Sequence, residues 1–277
     1  MTFAYATTNR LTGLTASAFS VTTGAGPSGA TELYLNDGRM DRQYTFTAGT
    51  TAETLQIDLG SALAVVGVAI LNHNLVALGS ASVTITAADD SGFTTGVVTP
   101  KAATTLNTTQ PKHKDHVLQF ASVSKRYWRI AMSHAAATAL KIGEVFLLAA
   151  STQLTRGMLD GSGESEEIIS VGNRMMYGAT KSTFFAGPIR SKQMKYQDFT
   201  EAQLLELRTL WAAVKGPVTP FLRIESYEAV STAAASAQQD CIFGQIQDAR
   251  FAWTFVDSLY RQPPGFDIVS LGREVGS

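Results

Sequence analysis

The chain consists largely of short segments in which apolar and polar residues alternate. Gly, Asn and Asp separate these segments. Alternation with a period of two predicts β-strands that bury one face. In the first half these segments cover residues 55–59, 65–71, 82–87, 117–120, 126–132 and 142–148. Their spacing favours an antiparallel β-sandwich.

A single segment of the second half has the pattern of an α-helix. Thr200 can cap it, and Gln203 completes a Thr-x-x-Gln capping box. One face then carries Leu204, Leu207, Trp211 and Val214. Because Gly-Pro follows at 216–217, we expect the helix to span about 200–215.

The rest of the sequence of the second half predicts strands over residues 168–171, 181–185, 192–196, 221–225, 242–247 and 251–256. Residues 151–167 combine Gly and Ser with acids, which is typical of a linker or a long surface loop. We therefore expect two mainly β domains, residues 1–150 and 151–277, the second a β-sandwich or barrel with one helix. The Thr- and Ala-rich stretches 94–111 and 229–239 are expected to be long loops.

The charge balance and the single cysteine exclude several classes of protein. Lys and Arg together number 22, against 23 for Asp and Glu, so there is no basic field to hold nucleic acid. One cysteine permits no intrachain disulfide. Nothing resembles a secretory signal at the N-terminus, and no apolar stretch reaches the roughly 20 residues that cross a bilayer. We expect a protein of the cytoplasm with no membrane span.

Residue constellations for catalysis are missing from the sequence. The four histidines all lie in the first half, whereas Cys241 lies in the second, so a buried structural thiol is favoured over a nucleophile. His113 and His116 are too few ligands for zinc, and a solvated loop is favoured there. We expect no enzymatic activity, no cofactor and no metal.

The turn at 36–42, Asn-Asp-Gly-Arg-Met-Asp-Arg, concentrates acids, an amide and arginines between two strands. Such a turn can hold Ca²⁺ through oxygen ligands, or it can hydrogen-bond a sugar. An Asx turn with an internal Asp/Arg pair is the favoured alternative. The candidate ligand residues are Asn36, Asp37, Arg39 and Asp41.

Five segments of the first half resemble, in order and spacing, the discoidin group of galactose-binding-like domains: residues 35–38, 55–60, 66–70, 127–130 and 142–146. The resemblance runs over about residues 5–148. It implies an eight-stranded jelly roll whose loops at one end bind glycans, lipids or proteins, and it places Asn36, Asp37, Arg39 and Asp41 near those loops. The paired cysteines of the family's extracellular members are absent here.

The second half resembles the ring-forming domain of distal tail and baseplate proteins of long-tailed bacteriophages. The resemblance covers about residues 174–275 and is carried by 195–200, the helix to Trp211, Gly216 with 220–222, and 243–246. It implies a ring that continues the tail tube. The order of the two domains in this chain is the reverse of that in distal tail proteins, which usually place the ring-forming domain first. We expect the assembly core to include Leu204, Leu207, Trp211 and Phe221.

These observations lead to two functional hypotheses. The first is a structural protein of a phage tail tip, assembled in the host cytoplasm as a homo-oligomeric ring, with tail-tube, tape-measure or baseplate proteins and host glycan as partners. The alternative is the carbohydrate-binding module of a surface or secreted lectin.

Overall fold

The structure, a computed structural model, describes residues 4–23, 31–39, 42–106, 115–154, 164–167, 170–173, 182–185, 189–194, 199–215, 218–224, 241–246, 251, 254–255, 261–262 and 266–270. The first strands are β1 (Ala4–Ala6), β2 (Phe19–Thr23), β3 (Tyr44–Thr45), β4 (Ala52–Leu71), β5 (Ser82–Ala88), β6 (Val98–Thr105), β7 (His116–Ser133), β8 (Lys141–Ile142) and β9 (Glu144–Leu148). Short 3₁₀ helices lie at Ala16–Ala18, Glu32–Leu35 and Leu75–Leu78.

The second half continues with β10 (Thr152–Gln153), β11 (Glu164–Glu167), β12 (Ser170–Asn173), β13 (Ser182–Phe185), β14 (Ile189–Met194), helix α1 (Glu201–Ala213), β15 (Phe221–Ile224), β16 (Cys241–Ile246), β17 (Thr254–Phe255), β18 (Arg261–Gln262) and β19 (Phe266–Ser270). Every strand pairing in the described ranges is antiparallel, and α1 is their one α-helix. The predicted fold class, mainly β with one helix, is confirmed.

Helix α1 begins where its capping sequence predicts. The Thr200 side chain accepts a hydrogen bond from the Gln203 N–H, and the Gln203 side chain accepts one from the Thr200 N–H at 3.0 Å. These two bonds satisfy N–H groups that have no partner inside the helix. The capping box is therefore confirmed.

The first half is organised around a long ribbon made of β4 and β7. Residues 52–58 pair with 133–127, and residues 63–70 pair with 125–116. The pairing is broken between Asp58 and Leu63, and a second register shift lies between Val65 and Gly67. At the break Gly60 has a φ of 75°, which favours glycine, and its N–H donates to the Asp58 carboxylate at 2.7 Å. Beyond the break β9 pairs with β4, whereas before it β2 and β5 flank the ribbon. The ribbon thus contributes to both layers of a β-sandwich.

The part of β4 beyond the break buries both of its faces. Val68 and Ile70 belong to the core of the sandwich, whereas Ala69 and Leu71 belong to a separate apolar cluster. That cluster joins the sandwich to the second half through Ala4, Ala6, Val117, Phe146, Leu148, Leu222, Ile224, Cys241 and Phe243. Because the second half covers the outer face of this part of β4, residues 65–71 are almost continuously apolar instead of alternating.

The second half contains a seven-stranded sheet in the order β10-β1-β15-β16-β19-β14-β11. Its member β1 comes from the start of the chain, with Ala4 opposite both Gln153 and Ile224. The sandwich thus lies, along the chain, between two neighbouring strands of this sheet.

Two predicted loops are wrong over part of their length. Residues 151–167 contain β10 and β11, because their backbones pair with β1 and β14. Residues 94–111 contain β6, where Lys101 pairs with Ile85; Thr and Val favour strands, and this outweighs the loop-like composition. The predicted loop 229–239 lies outside the described residues. No helix in the described part of the chain is long and apolar enough to cross a membrane.

We predict that Phe146→Ala lowers the free energy of unfolding by about 3 kcal/mol, because it leaves a cavity between the halves. The Phe146 and Phe243 rings are 6.0 Å apart, and both are buried. Urea denaturation followed by far-UV circular dichroism measures the change. Leu205→Ala, at a side chain that is 61% exposed, serves as the control. A loss no larger than that of the control would contradict the packing described here.

Candidate functional site

The predicted ligand turn follows the 3₁₀ helix Glu32–Leu35, and the side chain of Asn36 anchors it. The Asn36 amide donates to the carbonyls of Leu11 and Leu14 at 2.8 and 3.3 Å. Both acceptors belong to the segment that precedes β2. The amide nitrogen of Asn36 therefore fixes the base of the turn rather than reaching outward.

Beyond this anchor the turn presents charged groups, and the 3₁₀ helix before it presents the ring of Tyr34. The carboxylate of Asp37, whose side chain is 21% exposed, accepts a hydrogen bond from the Arg39 N–H at 2.8 Å, and it lies 3.8 Å from the Arg42 guanidinium. The Arg42 guanidinium carbon lies 5.6 Å from the centre of the partly exposed Tyr34 ring. The structure thus contains the predicted Asx turn and an internal Asp/Arg pair. Asp41 lies outside the described residues.

A buried carboxyl group, that of Glu144, lies below the turn. Glu144 is 2% exposed, and one of its oxygens accepts a hydrogen bond from the Gly38 N–H at 3.0 Å. Burial raises the pKa of Glu144 to about 9; the Gly38 bond opposes this shift, and the negative charge of Asp37 adds to it. Glu144 is therefore a neutral acid at pH 7. Sequence reasoning did not assign it to the site.

A buried polar network supports the same end of the sandwich. The Gln43 side chain donates to the Asn72 carbonyl at 2.9 Å, and the Asn72 N–H donates to Asp115 at 2.7 Å. The rings of His73 and His116 are joined by a hydrogen bond of 2.7 Å. The solvated loop predicted around His116 is therefore wrong for Asp115 and His116, which are buried.

No described group of three or more His, Cys, Asp or Glu side chains is placed to share a metal ion.

The residues predicted to form an assembly core lie in the core of the second half. Leu204 and Leu207 of α1 and Phe221 of β15 are buried in one apolar cluster, and partly buried Trp211 packs against it. These four side chains stabilise the fold of the chain itself. Cys241 is buried in the cluster between the two halves, where a small apolar thiol fits.

No family model matches the sequence, and no curated protein matches it. The solved structures that resemble part of the chain include carbohydrate-binding modules and a lectin domain. Chitosan-binding module 1 of a chitosanase/glucanase from Paenibacillus sp. IK-5 is 20% identical, with 50% of this chain and 98% of that chain covered and a TM-score of 0.41. The lectin domain of lectinolysin, complexed with Lewis B antigen, is 18% identical, with coverages of 52% and 99% and a TM-score of 0.40.

We predict that Glu144→Gln changes the pH dependence of stability. The folded state keeps a proton on Glu144 up to a pKa of about 9, whereas the ordinary value is 4.5. The protonated Glu144 therefore contributes its full stabilisation to the folded state below pH 4.5. This contribution to the free energy of unfolding is lost as the pH rises toward 9, by at most about 1.4 kcal/mol per pH unit. The variant should gain stability over the wild type between pH 5 and pH 8.

Urea denaturation of both proteins at several pH values measures this difference. Glu32→Gln, at a partly buried acid of the 3₁₀ helix that precedes the turn, is the matched control for replacing a carboxyl group by an amide. Parallel curves for Glu144→Gln and the wild type would show that Glu144 does not titrate as described.

Proposed function

We propose that the chain is a non-enzymatic glycan-binding protein and that the turn 36–42 of its sandwich contacts the ligand. The observation that carries the proposal is the arrangement of Asp37 and Arg42 on the anchored turn with Tyr34 of the preceding 3₁₀ helix. The resemblance of residues 5–148 to galactose-binding-like domains supports the same function.

The chemistry of these groups suits a sugar. A carboxylate accepts hydrogen bonds from hydroxyl groups, and a guanidinium donates several in a fixed plane. An aromatic ring provides apolar surface for the C–H face of a pyranose. The Asp37 and Arg42 side chains are 3.8 Å apart, which is longer than a direct charge-assisted hydrogen bond. Sugar hydroxyls can therefore bond both partners without breaking a strong ion pair.

The base of the turn is rigid, which favours binding because little conformational freedom is lost. Asn36 ties the turn to Leu11 and Leu14, and Gly38 ties it to Glu144. The neutral state of Glu144 also keeps a second negative charge away from Asp37.

We predict that the purified protein binds glycans on an array and that Asp37→Ala weakens binding at least about tenfold, because charge-assisted hydrogen bonds are lost. Isothermal titration calorimetry with the strongest array glycans measures the change. Asp89→Ala is the matched control, since Asp89 is also a salt-bridged surface carboxylate, 2.7 Å from Lys125, on a different loop.

Equal affinities for the wild type and Asp37→Ala would exclude the turn as the contact. A wild type that binds no glycan would contradict the proposed function as a whole.

A second candidate function is assembly as a ring in a phage tail, with the virion tail as its location. It is supported by the resemblance of residues 174–275 and by exposed apolar side chains on and after α1. Among the described residues, Leu205 and Val218 are the most exposed large apolar side chains, at 61% and 65%. Contact with a second copy of the chain would remove both from water.

For this candidate we predict that the wild type sediments as a closed oligomer and that Leu205→Asp with Val218→Asp shifts it to monomers. Analytical ultracentrifugation measures the state, and Val97→Asp, at an exposed valine of the sandwich, is the control. A monomeric wild type, together with tail preparations that lack the protein, would reject the ring.

A further inference from the structure

A shallow depression of about 290 Å³ lies on the sandwich beside the turn 36–42. One wall comes from the segment before β2, with Gly13, Leu14, Thr15 and Ser17. The other comes from the break in β4, at Asp58 and Gly60. Its volume is at the lower end of the roughly 300 to 1,000 Å³ of small-molecule sites, so it suits one compact group.

Hydrogen bonds on both sides fix the walls. Arg126 donates two bonds to the Asp58 carboxylate, at 2.7 and 2.8 Å, and the Gly60 N–H donates a third, at 2.7 Å. On the opposite wall, the Leu14 N–H donates to the Leu11 carbonyl at 3.0 Å. The depression is therefore formed before any ligand arrives.

The lining exposes mostly apolar surface, and its one charged side chain, Asp58, is paired with Arg126. The Thr15 and Ser17 hydroxyl groups are exposed and lie 2.9 Å apart. Hydrogen bonds from Arg126 lower the pKa of Asp58, so its carboxylate stays ionised, and the guanidinium of Arg126 balances the charge. Partly buried Leu14 supplies apolar surface. Hydroxyl groups above apolar surface suit an uncharged, polyhydroxylated group.

The depression is contiguous with the proposed contact turn. Asn36, next to Asp37 in the chain, donates to the carbonyl of Leu14, which lines the depression. The base of the turn and one wall of the depression are therefore neighbours.

We propose that this depression is a second subsite, which holds one further uncharged sugar residue of a glycan bound at the turn 36–42. The inference rests on the proposed function, because the turn provides the first subsite. It predicts selection for ligand length: the wild type binds a disaccharide more tightly than either of its monosaccharides.

The test compares galactose, glucose and N-acetylglucosamine with lactose, cellobiose and diacetylchitobiose, together with the array glycans, by calorimetry and saturation-transfer NMR. Thr15→Val with Ser17→Ala removes the hydroxyl groups, and Ser17→Trp fills the depression. Either change should weaken disaccharide binding roughly five- to tenfold and leave monosaccharide binding unchanged, since about two neutral hydrogen bonds are lost. Thr22→Val, at an exposed threonine of β2 outside the depression, is the matched control. Thermal melting of each variant confirms that it folds.

The outcomes separate the two proposals. Disaccharide binding that Asp37→Ala abolishes but Ser17→Trp leaves intact would overturn the second subsite and leave the proposed function standing. Equal loss of monosaccharides and disaccharides in Ser17→Trp would also overturn it, because the depression would then be the primary site. Failure of every glycan to bind the wild type would overturn both.

Discussion

The pairing of β4 with β7 is the interaction on which the rest of the structure depends. This ribbon runs through both layers of the sandwich, and its break at Asp58 and Gly60 forms one wall of the proposed second subsite. Beyond the break, the outward face of the ribbon packs against the second half. Its far end, at His116, belongs to the buried polar network near the contact turn. One backbone pairing thus positions the core, the contact between the halves and the candidate site.

Local patterns predicted most of the strands of the sandwich, because alternation reports which face of a strand is buried. The capping box of α1 was also predictable, since its partners are three residues apart. The pairing of β1 with β15 was not, because a three-residue strand has no usable pattern and its partner lies at the other end of the chain. The apolar run 65–71 indicated a strand, but nothing in it revealed that the second half covers its outer face.

The candidate site was likewise predictable from the sequence only in part. The turn 36–42 was predictable because Asn, Asp and Gly form turns through local hydrogen bonds. The place of Glu144 was not, because the Gly38 N–H that binds it lies 106 positions away in the chain. The only sequence signal was an acid inside an otherwise apolar strand segment, which is costly unless the fold provides a partner or keeps the acid neutral. The buried state of Asp115 and His116 was hidden for the same reason, since their partners Asn72 and His73 belong to a different segment.

The chain order also bears on how the proposed binding and the proposed assembly could coexist. The sandwich is connected to the seven-stranded sheet through β1 and β10, which are adjacent, with Ala4 opposite Gln153. A segment that leaves and re-enters a sheet through neighbouring strands can change its loops without disturbing the rest of that sheet. The start of the chain itself belongs to this sheet, because β1 pairs with β15. Variation in the turn 36–42 and in the depression can therefore alter the proposed ligand contacts while the sheet that carries α1 keeps its fold.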